Sequence, residues 1–221
     1  MSDSDPQEEY FDHMEVARNI ISLNQKLRRI IEHKEETGFS DIDLEISALM
    51  HQMTYFSTLV QLFYPLETTF ERMKLNPTNP NDDETIKAQV IAIDFNCRKS
   101  FLVLTAFSLE TLLMAIAEKH SISLNPRDSI TKNYLTVMDY FEIDHGEYED
   151  LLKIFHYTRN TLHSGTKIKK SSPPLTYKGK TFTFEIGQKF MEYTTWNYFT
   201  YFTSEIIEIF EKIYKSTKFN N

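Results

Sequence analysis

The chain has 221 residues, of which 41% are hydrophobic and 25% are charged, and its formal net charge is −8. This composition is typical of a globular protein with one large domain, and the acidic balance argues against a general nucleic-acid coat protein. The single cysteine, Cys97, excludes an intrachain disulfide and a zinc site built from cysteines. Only 5 Gly and 7 Pro are present, and so few turn residues favour long helices over many short strands.

The first residues of the chain, 1–9, are acidic and polar, and we predict that they form a disordered tail. They lack the basic region and the apolar stretch of a signal peptide. The sequence has no run of about 18 apolar residues that would predict a membrane span. We therefore expect a cytoplasmic protein without a membrane partner, in which residues 10–221 form a single domain.

Apolar residues recur at three- and four-residue steps along most of the chain, and this spacing predicts amphipathic helices. The predicted helices span, in chain order, residues 10–36, 41–75, 83–120, 130–141, 147–163 and 194–217. Pro65 is expected to kink or break the second helix near Tyr64. Cys97 falls in the third helix among apolar residues, which favours a small core residue over a nucleophile.

Residues 175–186 change to a period of two, with large and polar side chains alternating around Lys178 and Gly179. This alternation predicts a β-hairpin. The sequence therefore predicts an all-α fold, an antiparallel bundle of five to seven helices with one small β-hairpin before the last helix. The hairpin aromatics Tyr177, Phe182 and Phe184 either stack on nucleic-acid bases beside the lysines or bury one face of the hairpin against the bundle.

The segment RNTLHSG at residues 159–165 reads as the end of the fifth helix. Arg159 and His163 are four residues apart, so they lie on one helical face. The guanidinium of an arginine can grip two phosphate oxygens at once, and a histidine can transfer a proton near neutral pH. These are the two tasks of phosphodiester cleavage.

Positive charge is concentrated around this segment, because residues 151–184 contain no Asp or Glu. The seven cations of this stretch are Lys153, Arg159, Lys167, Lys169, Lys170, Lys178 and Lys180. A positive patch on an acidic body can select an anionic ligand, whereas the alternative is a solubilising lysine loop. Lys167, Lys169 and Lys170 follow the motif directly and are the candidate substrate-binding residues.

The pattern Arg159-Asn160-x-x-His163 resembles the signature of HEPN domains, which are all-α bundles with an arginine and a histidine near the end of a late helix. Residues 106–113 are similar to the mid-domain helix of that family, with Glu110 as its acidic residue. The resemblance covers about residues 83–215. Three residues separate Arg159 from His163 here, whereas the usual family pattern has four to six.

The resemblance implies a metal-independent endoribonuclease of a toxin–antitoxin or defence system, without a cofactor or a metal. Arg159 would clamp the phosphate, His163 would transfer protons and Asn160 would orient the histidine or bind the phosphate, with Glu110 and His156 in support. The products would be a 2′,3′-cyclic phosphate and a 5′-hydroxyl. A single histidine is insufficient for two proton transfers, so a homodimer with a composite site is implied, as is a cognate antitoxin or defence partner protein.

Two other interpretations of the motif remain open at the level of sequence. Arg159 and His163 can satisfy carbonyls at the end of a helix, and Arg159 can pair with an acid such as Glu110. The chain can also be a non-catalytic module that binds RNA, a protein or itself, using the aromatic-rich helices and especially residues 196–214. The remaining histidines show no paired metal-ligand spacing, and the sequence contains no phosphate-binding glycine loop.

Overall fold

A computed structural model describes residues 13–32, 40–73, 80–125, 127–146, 148–163, 168, 171–187 and 195–219. The described residues form six helices and one two-stranded hairpin. The elements are α1 (His13–Glu32), α2 (Asp41–Met73), α3 (Pro80–Lys119), α4 (Ile130–Tyr140), α5 (Tyr148–His163), β1 (Ser172–Tyr177), β2 (Lys180–Phe184) and α6 (Trp196–Lys215).

The all-α fold with a hairpin before the last helix is confirmed, and each predicted helix corresponds to one of α1–α6. Helix α2 runs through Pro65 without ending, so of the predicted kink or break at this residue the break is wrong. The acidic tail predicted at residues 1–9 lies outside the described residues.

Helix α6 supplies the centre of the hydrophobic core. Its fully buried side chains include Trp196, Phe199, Phe202 and Phe210. The Trp196 ring packs 5.4 Å from that of Phe101 on α3, and its indole nitrogen donates a hydrogen bond of 3.0 Å to Asp94. Most of the aromatics of residues 196–214 are therefore buried within the bundle, whereas Tyr201 is exposed.

Helices α2 and α3 lie side by side and run in opposite directions. The Gln52 amide donates to Thr105 at 3.0 Å, the Ser108 hydroxyl donates to Gln52 at 2.7 Å, and Phe56 packs edge-on against Phe101. As the residue number rises along α2, that of its neighbour on α3 falls. These contacts pack α2 against α3.

One segment, Ile91–Lys119 of α3, is long and apolar enough to cross a membrane, contrary to the expectation from the sequence. Half of its apolar window is buried inside the bundle. The apolar side chains of α3 thus lie partly in the core and partly on an outward face of the helix.

The hairpin is closed by a tight turn, in which Lys178 has a φ of 45° and Gly179 a φ of 76°. Two consecutive positive φ angles are typical of a type I′ turn, which matches the twist of the strands. Leu175 pairs with Phe182, and both side chains are buried. Tyr177 and Phe184 are also at most 3% exposed, so the hairpin aromatics pack on the bundle and cannot stack on bases.

Candidate functional site

Helix α5 positions the motif by burying one face and exposing the other. Its inward side chains, all buried, are Leu151, Leu152, Ile154, Phe155, Thr158, Thr161 and Leu162. Between these positions, Arg159 is partly buried, whereas Asn160 and His163 are exposed. The spacing of the motif therefore places its polar side chains on the outer face at the end of α5, as the sequence predicts.

Arg159 is held by three neighbours and is not free in solvent. Its guanidinium donates a hydrogen bond of 2.9 Å to the amide oxygen of Asn160. Its central carbon lies 4.5 Å from the ring centroid of Phe107 on α3, a cation–π distance. A terminal nitrogen lies 3.7 Å from a carboxylate oxygen of Glu110, also on α3. The side chain remains 17% exposed, so these contacts orient Arg159 without closing it off.

The guanidinium still has hydrogen-bonding capacity. The Nε atom of Arg159 is buried and finds no acceptor among the described residues. The separation from Glu110 exceeds that of a good hydrogen bond, so this ion pair is loose. An anion that replaced Glu110 could therefore bind the terminal nitrogen of Arg159 that now faces this carboxylate.

Burial sets the acidity of Glu110. It raises the pKa of this carboxyl, and the nearby Arg159 lowers it by less. Glu110 also interacts electrostatically with Tyr134 on α4, whose hydroxyl is buried and has no hydrogen-bond partner in the described part of the chain. Burial is the main cause of the strongly raised pKa of Tyr134, and Glu110 adds to it. Phe107 and Tyr134 thus border the site, and neither was predicted as a site residue.

His156 lies on the motif face of α5, three residues before Arg159. Burial first, and then the positive charge of Arg159, lowers the pKa of His156 to about 4. The imidazole is therefore neutral at pH 7 and cannot deliver a proton as an imidazolium. The suggested support from His156 is limited to accepting a proton or a hydrogen bond.

His163 is the last residue of α5, and its side chain is exposed. It stands one helical turn after Arg159, roughly 6 Å further along the axis. The predicted substrate-binding residues Lys167, Lys169 and Lys170 lie outside the described residues. The structure thus brings together Arg159, Asn160 and Glu110 by direct contact and places His163 one turn away on the same helix.

The positive patch predicted for residues 151–184 is weaker than its formal charge indicates. Lys153 pairs with Glu149 at 2.6 Å, and Lys178 pairs with Glu205 at 2.8 Å. Arg159 faces Glu110, as described above. Three of the four described cations of residues 151–184 therefore have a carboxylate neighbour that lies outside these residues. These cations do not form a general phosphate-binding surface.

Metal and thiol chemistry find no support in the described part of the chain. It holds no group of three or more His, Cys, Asp or Glu side chains that could bind a metal ion. Cys97 is partly buried and packs against the core. Burial, with a smaller contribution from Asp94, raises the pKa of its thiol to about 11, so Cys97 is not an activated nucleophile.

No family model matches this chain, and no curated protein or solved structure was found to be significantly similar to it.

Proposed function

We propose that this protein is a HEPN-like, metal-independent endoribonuclease of a cytoplasmic toxin or defence system. The observation that carries the proposal is the pairing of an oriented, partly exposed Arg159 with an exposed His163 one turn later on the same helix. An arginine can bind the phosphate and a histidine can transfer one proton, and these are two of the functions that transesterification of RNA requires.

Arg159 would bind the non-bridging oxygens of the scissile phosphate and stabilise the negative charge of the phosphorane. Phe107 and Asn160 hold the guanidinium in place, so little side-chain freedom is lost when the phosphate binds. The contact of Asn160 with Arg159 supports a role in orienting the arginine rather than the histidine. The loosely paired Glu110 would be displaced from Arg159 by the more highly charged substrate.

His163 would take the proton of the RNA 2′-hydroxyl, and the attack of this oxygen on phosphorus would yield a 2′,3′-cyclic phosphate and a 5′-hydroxyl. A second group must protonate the leaving 5′-oxygen. The neutral His156 is unsuited to that task, so the acid is assigned to His163 of a second copy, in a homodimer with a composite site. A cognate antitoxin or defence partner protein would restrain the activity.

Cleavage of a mixed-sequence RNA in EDTA tests this proposal, with Arg159→Ala compared with a matched control, Arg28→Ala. Arg28 is an exposed arginine of α1 that pairs only with Glu32 on its own helix, among the contacts that the structure describes. The wild type and Arg28→Ala should cleave RNA and leave a cyclic phosphate, whereas Arg159→Ala should lose at least a hundredfold in rate, about the loss for one oxyanion donor. Equal rates for the two arginine variants would contradict the proposal.

A second candidate is a non-catalytic module that binds RNA or a protein. The contacts of Arg159 with Glu110 and Phe107 favour it, because a structural arginine makes such contacts as well. Binding of RNA by the wild type without any cleavage, and with equal affinity in His163→Ala, would support this candidate over the nuclease.

A further inference from the structure

Two neighbouring helices carry a long surface that is almost free of charge. Residues 46–66 of α2 include no Asp, Glu, Lys or Arg, and residues 100–117 of α3 include only Glu110, which faces Arg159. In the whole chain one residue in four is charged. Large apolar side chains are exposed within both segments, and two more, Leu44 and Ile93, are exposed just outside them. Together we call these residues the charge-free face: Leu44, Tyr55, Leu62, Ile93, Leu104, Phe107 and Met114.

The members of the charge-free face follow a regular spacing. On α3, Ile93, Leu104, Phe107 and Met114 are separated by 11, 3 and 7 residues, and on α2, Leu44, Tyr55 and Leu62 are separated by 11 and 7. Spacings of 3, 7 and 11 residues are sums of three- and four-residue steps, so they keep the side chains on one face of a helix. Neither stripe is buried within the described part of the chain.

Both stripes lie on the same side of the α2–α3 pair. At about 100° per residue, the mean direction of each stripe is displaced by roughly a quarter turn from the mean direction of the side chains that join the two helices. These joining side chains are Gln52 and Phe56 on α2 and Phe101, Thr105 and Ser108 on α3. The displacement has the same sense in both helices. Because the helices are antiparallel, an equal displacement in each brings the two stripes to one face.

The size and chemistry of this face match those of a protein interface. A stripe of 21 residues is roughly 32 Å long, and two helices of about 10 Å width present roughly 600 Å². That area approaches the roughly 800 Å² per partner of a standard interface, whereas one helix alone would supply half of it. Depletion of charge with enrichment of Tyr, Phe and Met is also typical of interface cores.

The net charge of the chain indicates which partner binds the charge-free face. Each chain carries −8, so two copies repel each other over most of their surface and approach best where charge is absent. A lipid surface fits less well, because helices that lie on membranes carry a polar face rich in Lys and Arg. Asp41 on α2 and Glu118 on α3, both exposed acids, lie together at one end of the face, because the two helices are antiparallel.

We propose that a second copy of this chain docks on the charge-free face, with the faces of the two copies related by a two-fold axis. Such an interface is self-complementary, as the apolar stripes of one copy meet those of the other. Phe107 belongs to this face and also supports Arg159, so the partner copy would lie beside the candidate site. The completion of that site by the partner rests on the proposed function, whereas the interface itself can be measured without RNA.

The test is the mass of the particle in solution, measured by analytical ultracentrifugation from low to high micromolar concentration. Leu104→Glu and Tyr55→Glu place one charge on each helix of the face, and Ile21→Glu on α1 is the matched control, since Ile21 is exposed to a similar degree (40%, against 48% for Leu104). Wild type and Ile21→Glu should have twice the monomer mass of 26.1 kDa, and the two face variants should be monomers with unchanged circular dichroism.

Three outcomes would overturn this interface: a monomeric wild type at every concentration, a dimer that survives in both face variants, or a wild-type monomer that floats with phosphatidylcholine vesicles. RNA cleavage by the same four proteins separates the interface from the proposed function. A dimer that fails to cleave RNA supports the interface and contradicts the nuclease. Cleavage by the monomeric variants supports the nuclease and overturns the completion of its site by the partner.

Discussion

Arg159 of α5 rests on the ring of Phe107 of α3, with 4.5 Å between the guanidinium carbon and the ring centroid. The ring is 44% exposed, so this contact lies at the surface of the bundle. It joins the motif at the end of α5 to the charge-free face of α2 and α3. The candidate site and the charge-free face therefore meet at this pair of residues.

Glu110→Gln is expected to strengthen RNA binding. The substitution removes the carboxylate that competes with a phosphate for Arg159, and a partly exposed pair of this kind contributes about 1 kcal/mol, or roughly a fivefold change in Kd. Fluorescence anisotropy with Glu110→Gln in a His163→Ala background, which prevents cleavage, measures the affinity. Glu211→Gln on α6 serves as the control, and a weaker affinity for Glu110→Gln than for this control would contradict the assignment.

The same competition predicts a pH dependence of binding. Because burial raises the pKa of Glu110, acidification protonates this carboxyl sooner than an exposed glutamate and releases Arg159 for the phosphate. RNA affinity should therefore rise more steeply on acidification in the His163→Ala protein than in the same protein with Glu110→Gln. Parallel titration curves for the two proteins would show that Glu110 is not the competing group.

His156 should make the fold less stable in mild acid. Its pKa falls from 6.5 in the unfolded chain to about 4 in the fold, so the unfolded chain binds the proton first as the pH drops. Above pH 6.5 His156 is neutral in both states and the free energy of unfolding is at its full value. As the pH falls from about 6.5 to 4, protonation of His156 in the unfolded chain lowers this free energy by at most about 3 kcal/mol.

Urea unfolding of the wild type and of His156→Gln at pH 7 and at pH 4.5 measures this contribution. The wild type should lose more free energy of unfolding than His156→Gln over that interval. An equal loss in both proteins would mean that His156 is as accessible to protons in the fold as in the unfolded chain.

Tyr177→Phe should destabilise the attachment of the hairpin to α6. The Tyr177 hydroxyl donates a hydrogen bond to Glu205, whose carboxylate is almost fully buried and also pairs with Lys178. Loss of a hydrogen bond to a charged group costs about 1.5–3 kcal/mol in free energy of unfolding. Lys178→Met should cost less, because the lysine is half exposed, and a larger cost for Lys178→Met than for Tyr177→Phe would reverse the assigned roles.

Gly179→Ala is expected to strain the hairpin turn. Gly179 has a φ of 76°, and no atom lies within 4 Å of the position that a Cβ would occupy, so any cost comes from the backbone conformation alone. That cost is about 1–2 kcal/mol for alanine and smaller for asparagine, which adopts this conformation more readily. Thermal unfolding should rank wild type first, then Gly179→Asn, then Gly179→Ala, and an alanine variant as stable as the wild type would contradict the turn geometry.

The elements of the fold were predictable because each has a local cause in the sequence. Apolar periodicity marked the helices, and the period of two around Lys178 and Gly179 marked the hairpin. The break expected at Pro65 did not occur, since the loss of one hydrogen bond does not end a long helix that propagates cooperatively on both sides. Periodicity also could not show that the aromatics of α6 face the core, because a core and an interface bury the same residue types.

The candidate site was predictable only along its own helix. The spacing of Arg159 and His163 fixes their common face, and the contact of Arg159 with Glu110 was one of the open alternatives. Phe107 and Tyr134 could not be foreseen, because they reach the site through the packing of α3 and α4 around α5, which depends on tertiary structure. The sequence shows that residues 46–66 and 100–117 are almost free of charge. It does not show whether their apolar side chains lie in the core or at the surface, which the exposure in the structure decides.

The most direct test of the nuclease proposal is cleavage of RNA in EDTA by wild type and His163→Ala, at a protein concentration where the wild type is dimeric. The proposal predicts cleavage by the wild type alone, with 2′,3′-cyclic phosphate and 5′-hydroxyl ends. Intact RNA after incubation with a folded wild-type dimer, or equal cleavage by His163→Ala, would contradict it.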